Sequence, residues 1–116
     1  MKKDIVLANE EVVTINSNLT ALTLFELEKE GVINKSFLGT LFSAGGMQNV
    51  DLLDTFRTVY AAYRQATPKE YMDFKSFMAV YEVDMQEAFE IFGEILGNQK
   101  KNKMAQGFQV KAGKKD

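Results

Sequence analysis

The chain reads as mainly α, a small helical domain of about five helices with a short N-terminal β-hairpin. Three observations predict it. Between Asn49 and Leu96, apolar and aromatic residues recur at helical spacing. Before Asn16 they cluster instead in two short β-branched or aliphatic runs. Residues that start or stop helices stand between these stretches, Ser17-Asn18, Gly31, Asn34 and Gly45-Gly46, and within the first of them, Thr67-Pro68 and Asp84.

The elements follow in order. Ile5-Val6-Leu7 and Val12-Val13-Thr14-Ile15 suit two strands, and Ala8-Asn9-Glu10-Glu11 turns between them. A lone hairpin is marginal in water, so this one is expected to rest on a helix. Ser17-Asn18 is the expected N-cap of a first helix over Leu19–Glu30, stopped by Gly31. Leu19, Leu22, Leu27 and either Leu24 or Phe25 are its core candidates. Its last turn holds Glu26, Glu28 and Glu30, the wrong sign for the dipole at a helix C-terminus. Local physics does not account for them; a partner surface and solubility are the two readings. Asn34 caps a second helix with the stripe Phe37, Leu38, Leu41 and Phe42, and Ser43–Gly46 breaks it.

The third helix is the strongest signal. From a cap at Asn49 or Asp51 to about Ala66, Leu52, Leu53, Phe56, Val59, Tyr60 and Tyr63 share one face. Thr67-Pro-Lys-Glu70 has the form of a capping box with Pro at the first helical position, which predicts a restart near Thr67. Asp73 suits a short helix bearing Phe74, Phe77, Met78 and Tyr81. Asp84-Met-Gln-Glu87 is a second capping box, followed by Met85, Ala88, Phe89, Phe92, Ile95 and Leu96 at helical spacing, with Glu87, Glu90 and Glu94 opposite. Gly97-Asn98 either ends this helix or lets it run on through Ala105. The expected organisation is one helical domain over residues 1–97 and a Lys-rich extension, partly helical or disordered, over 98–116.

Charge divides the same way. Residues 1–97 hold eight Lys or Arg and fifteen Asp or Glu, a net −7; residues 98–116 hold six Lys and one Asp, a net +5. An acidic body with a basic tail suggests two different partners, a tail folded onto its own body, or a solvated end.

The chemistry is bounded by what is missing. The chain has no Cys and no His. Thiolate catalysis, Cys-ligated metals and the commonest general base are therefore excluded. Ser17, Ser36, Ser43 and Ser76 have no His to activate them. The acids Asp51/Asp54 and Glu87/Glu90/Glu94 lie opposite apolar stripes, where a solvated face belongs rather than a pair of catalytic carboxyls. Asp73 and Asp84 read as caps. Gly45-Gly46 lacks the Lys-Ser/Thr of a phosphate loop. No catalytic, cofactor-binding or metal-binding residue is expected, and the chain is not expected to be an enzyme. No apolar run approaches the roughly 18 to 20 residues of a membrane span, and Met1-Lys-Lys-Asp-Ile lacks the apolar core of a secretory signal.

What remains is contact surface. Nine Phe and four Tyr stand in a chain with no Trp. Most are core, but tyrosine hydroxyls need water or a partner. Met47, Met72, Met78, Met85 and Met104 add adaptable apolar surface. Phe56, Tyr60, Tyr63, Phe89 and Phe92 are the candidate partner-binding residues. Lys100, Lys101 and Lys103 are candidate basic contacts; with no arginine and one aromatic, Phe108, in that tail, nucleic acid is an unfavoured partner.

Three segments resemble the tail assembly chaperones of long-tailed phages and prophages of Gram-positive bacteria: Leu24-Phe-Glu-Leu-Glu-Lys-Glu-Gly-Val-Ile-Asn-Lys-Ser-Phe37, Asp51-Leu-Leu-Asp-Thr-Phe-Arg-Thr-Val-Tyr-Ala-Ala-Tyr-Arg64 and Tyr71-Met-Asp-Phe-Lys-Ser-Phe-Met-Ala-Val-Tyr81. The Lys-rich end after Asn98 is similar to theirs too. The likeness covers the chain from about residue 12. It implies a helical, non-catalytic protein of the bacterial host cytoplasm, absent from the mature virion. Such a protein binds the tape measure protein, keeps it soluble and helps recruit tail tube protein. It also implies a longer form made by frameshifting, for which the A-rich codons of Lys114-Lys115 offer a slippery site. Self-association is a further expectation. The competing expectation is a small phage or bacterial nucleic-acid-associated regulatory protein acting through its basic tail.

Overall fold

The computed structural model describes residues 2–42 and 52–98. Two strands come first, β1 (Lys2–Val6) and β2 (Val12–Asn16). Four helices follow: α1 (Ala21–Lys29), α2 (Lys35–Phe42), α3 (Leu52–Ala66) and α4 (Phe74–Val80). A fifth, α5, takes in residues 85–98. The mainly helical fold with an N-terminal hairpin is as the sequence predicts.

β1 and β2 pair antiparallel, Ile5 opposite Val13 and Val6 opposite Val12. The pleat sends Ile5, Val13 and Ile15 into the core and Val6, Val12 and Thr14 into water. The turn closes through Leu7 N–H to Glu11 O (2.8 Å) and Glu10 N–H to Leu7 O (2.8 Å), with Glu10 at φ 69°. The hairpin lies along α3, and Ala8 N–H donates to Val80 O (2.7 Å), tying its tip to the end of α4.

α1 starts later than expected. Its N-cap is Thr20, not Ser17-Asn18. The backbone N–H of Thr20 donates to Gln65 Oε1 (2.9 Å), and Thr23 Oγ1 donates to the same oxygen (2.6 Å). Ser17 is buried and used elsewhere: its Oγ accepts from Asn98 Nδ2 (3.1 Å), anchoring α5. The stop at Gly31 is as expected. Gly31 has φ 81°, its N–H reaches Glu28 O (3.0 Å), and Val32 N–H reaches Leu27 O (2.9 Å). That pair of bonds closes the helix end with Leu27 and Val32 both buried. Asn34 caps α2 as expected, its Oδ1 accepting from Phe37 N–H (2.9 Å).

The expected restart at Thr67 does not occur. Residues 67–73 are not helical, and Glu70 sits at φ 55°. Two tyrosines of α3 hold this loop instead: Tyr60 Oη donates to Met72 O (2.7 Å), and Met72 N–H donates to Tyr63 Oη (2.8 Å). Those bonds supply tertiary partners in place of a helical ladder. α4 begins at the Asp73 cap, whose Oδ1 accepts from Ser76 N–H (2.7 Å). Asp84 caps α5 through Glu87 N–H (3.0 Å), but the Glu87 carboxylate does not return to the cap; it accepts from Tyr81 Oη (3.0 Å). Gly97 and Asn98 are still helical. The expected break at Ser43–Gly46, the Asn49 or Asp51 cap and the tail after Asn98 lie outside the described residues.

One cluster of buried residues joins these elements. It runs from Ile5, Val13 and Ile15 through Leu27, Phe37 and Val59–Tyr63 to Phe77, Tyr81, Ile91, Phe92 and Ile95. α3 is its axis. Eight of the fifteen residues of α3 are buried, including every one from Thr58 to Arg64. A helix buried on so many sides is surrounded by neighbours rather than laid on a surface. Thr55 and Thr58 satisfy their buried hydroxyls within the helix, donating to Leu52 O and Thr55 O (both 2.6 Å).

Candidate functional site

Of the residues singled out in the sequence as partner-binding, Tyr60, Tyr63 and Phe92 belong to the buried core and Phe56 packs against it. Tyr60 is fully buried, and Tyr63 and Phe92 are buried with it. These three rings are core and not a free face, which corrects the expectation placed on them. Phe56 and Phe89 are half-buried. The rings interlock around Phe77: its centroid lies 4.8 Å from that of Tyr63, 5.5 Å from Tyr60 and 5.9 Å from Tyr81. Phe74 meets Tyr60 edge-on at 5.3 Å, and Phe56 lies 6.2 Å from Tyr81. Of the two choices open to a tyrosine hydroxyl, water or a partner, these three take a partner within the protein, Tyr60 and Tyr63 at Met72 and Tyr81 at Glu87. Burial first, and the Glu87 contact second, raise the Tyr81 pKa above its ordinary value. Burial likewise raises that of Tyr60. Lys100, Lys101 and Lys103 lie outside the described residues.

At the end of α3, Arg64 is only 5% exposed. Its guanidinium grips Glu30 with two bonds, Nη1 to Oε1 (2.6 Å) and Nη2 to Oε2 (2.9 Å). Nη1 also donates to Tyr60 Oη (3.2 Å), and Glu26 Oε1 stands 3.7 Å from Nη2. The ring of Tyr71 covers the guanidinium, its centroid 3.5 Å from Cζ. Burial alone would lower the Arg64 pKa; the bonds to Glu30 and Tyr60 outweigh it and keep the cation. The Arg64 bond is the main reason that the Glu30 carboxyl sits below its ordinary range. Two of the acids that oppose the α1 dipole, Glu26 and Glu30, therefore have a structural role: they face a buried arginine. The clue was the i, i+4 spacing of Tyr60 and Arg64, which places Arg64 on the tyrosine side of α3.

The apolar residues left in water lie elsewhere. On α1 only Thr23 and Leu27 are buried, while Leu22 and Phe25 are 66% and 74% exposed. Leu22, expected in the core, is thus outside it; the Thr23–Gln65 bond chooses the face that docks. Beside Phe25 an open groove of about 330 Å³ runs between α1 and α2. Ala21, Leu24, Phe25 and Leu38 make its apolar surface, and Glu28 and Lys35 stand on its walls. Among the described residues no cluster of three or more acidic side chains is placed to hold a metal ion, and no helix is long and apolar enough to cross a membrane.

The fold and this surface define a class: a small mainly helical domain, hairpin first, with an aromatic core and an apolar groove on its outer helices. Comparison with family models, with curated proteins and with solved structures finds no match to this chain.

Proposed function

We propose that this chain is a tail assembly chaperone of a long-tailed phage or prophage. In this reading it binds the tape measure protein in the host cytoplasm, keeps it soluble, supports tail tube assembly and leaves no copy in the virion. A frameshifted longer form and tail tube protein are its further partners. The observation that carries the reading is the exposed apolar face of α1, Leu22 and Phe25 with the groove beside them. The segment Leu24–Phe37, which carries part of the family resemblance, holds most of this groove's lining. A helix-rich, aggregation-prone client presents apolar stripes, and an open apolar groove between two helices suits such a stripe. The acidic balance of residues 1–97 keeps a protein with exposed phenylalanine soluble.

Co-expression tests it. The partner is the very long, helix-rich product expected from the reading frame immediately downstream. The native chain is expected to move that product into the soluble fraction, and Phe25→Glu to lose the effect while remaining folded. A client that stays equally insoluble with and without the chain would sink the reading. Binding to nucleic acid that weakens steeply with salt would favour the basic-tail regulator instead.

A further inference from the structure

We infer that in the free protein the groove between α1 and α2 is closed by the same groove of a second copy of this chain. Phe25, at 74% exposure, presents its ring on the groove. A phenylalanine contributes on the order of 150–250 Å² of contact when covered, so leaving it in water is costly. The charges on the walls indicate what covers it. Glu28 lies in the last turn of α1 and Lys35 is the first residue of α2, so both stand at the end of the groove where the chain turns. They stand on opposite walls with opposite signs. Among the described residues neither side chain has an ion-pair partner.

A two-fold axis running along the groove leaves the turn end at the turn end and exchanges the walls. It sets α1 of one copy over α2 of the other, Glu28 against Lys35 and Lys35 against Glu28, with the two Phe25 rings between. One patch then complements itself, as an isologous interface requires. Two short helices from each copy cover less than the roughly 800 Å² per partner of a standard interface. The dimer is accordingly weak and depends on concentration, which leaves the face open to a competitor. This dimer occupies the face that the chaperone reading assigns to its client, but it rests on the groove alone. Hydrodynamics of the purified chain tests the dimer and solubility of the client tests that reading, so each can fail without the other.

The experiment is sedimentation equilibrium on the full chain from about 10 μM to about 1 mM, the range in which a weak dimer dissociates. A reversible monomer–dimer equilibrium is expected. Phe25→Glu is expected to weaken it at least about thirtyfold, with an unchanged circular dichroism spectrum because the side chain is exposed. Glu28→Lys and Lys35→Glu, taken singly, each set like charges against one another in both symmetry-related pairs at the turn end, for a loss on the order of tenfold. The two reversals together restore the opposite-sign pairs and bring the affinity back to within about threefold of the native value. A chain monomeric at the top concentration, a dimer that ignores Phe25→Glu, or a double variant no better than the singles would each overturn the inference.

Discussion

Along the second half of α3, from Thr58 to Arg64, every residue is buried; along the outer face of α1, Leu22 and Phe25 stand in water. The buried stretch includes a threonine, two tyrosines and an arginine, whereas Leu22 and Phe25, left exposed, are both apolar. Hydrophobicity alone does not sort these residues. Among the described residues no buried side-chain nitrogen or oxygen lacks a hydrogen-bond partner. The polar groups of α3 are admitted to the core because Met72, Glu30 and the carbonyls of α3 itself receive them. On α1 the buried position goes to Thr23, whose hydroxyl finds Gln65, rather than to the larger Phe25. One region is internally complete; the other leaves apolar surface in water.

The largest effect should come from emptying the complete region. Tyr60→Ala removes a fully buried ring that touches Tyr63, Phe74 and Phe77, and it also unlatches Met72. A loss of about 4 kcal/mol in urea unfolding is expected. Because small domains are stable by only about 5–15 kcal/mol, this variant should lie near the edge of folding. A loss below about 1 kcal/mol would mean that the aromatic centre is not the core of the fold.

Next comes the arginine. Arg64→Ala deletes the stem beneath Tyr71 and leaves the Tyr60 hydroxyl and Glu30 without their cation, for an expected loss of about 2–3 kcal/mol. It should also loosen the 67–73 loop, seen as faster amide exchange at Met72. The same contact carries a pH dependence. Folding depresses the Glu30 pKa below its ordinary value of 4.5, so the stability it contributes is present above that pH. It is lost as the pH falls below about 4.5 and through the depressed value. Unfolding followed from pH 7 to pH 3 should therefore show less acid sensitivity in Glu30→Gln than in the native chain. Equal sensitivity in the two proteins would remove Glu30 from the account.

The smallest effect belongs to the incomplete region. Phe25→Ser should change the unfolding free energy of the monomer by no more than about 0.5 kcal/mol, measured at low protein concentration. A cost above about 2 kcal/mol would place Phe25 inside the fold and erase the contrast between the two regions.

Much of the fold is legible locally. The hairpin follows from β-branched residues at period two. α3 ends where the stripe ends, and Gly31, Asn34, Asp73 and Asp84 each punctuate as their chemistry predicts. Thr67-Pro-Lys-Glu70 looked as persuasive as Asp84-Met-Gln-Glu87 and was misleading. The loop that contains it is held at Met72 by tyrosine hydroxyls that act through folding and not through neighbouring sequence. The candidate surface was misplaced for a related reason. Tyr60 and Tyr63 carry groups that want either water or a partner, and the partner is Met72, nine or twelve residues along the chain but across the loop in space.

By itself, then, the sequence determined the elements, most of their punctuation and the lack of histidine and cysteine chemistry, because spacing and capping act over a few residues. Tertiary structure decided which face of each helix is inside. α1 carries apolar residues on more than one side, and only the reach of Gln65 and the grip of Arg64 on Glu30 turn Thr23 and Leu27 inward and leave Phe25 out. That choice is made by contacts 34 and 42 residues apart, beyond the range of any local pattern.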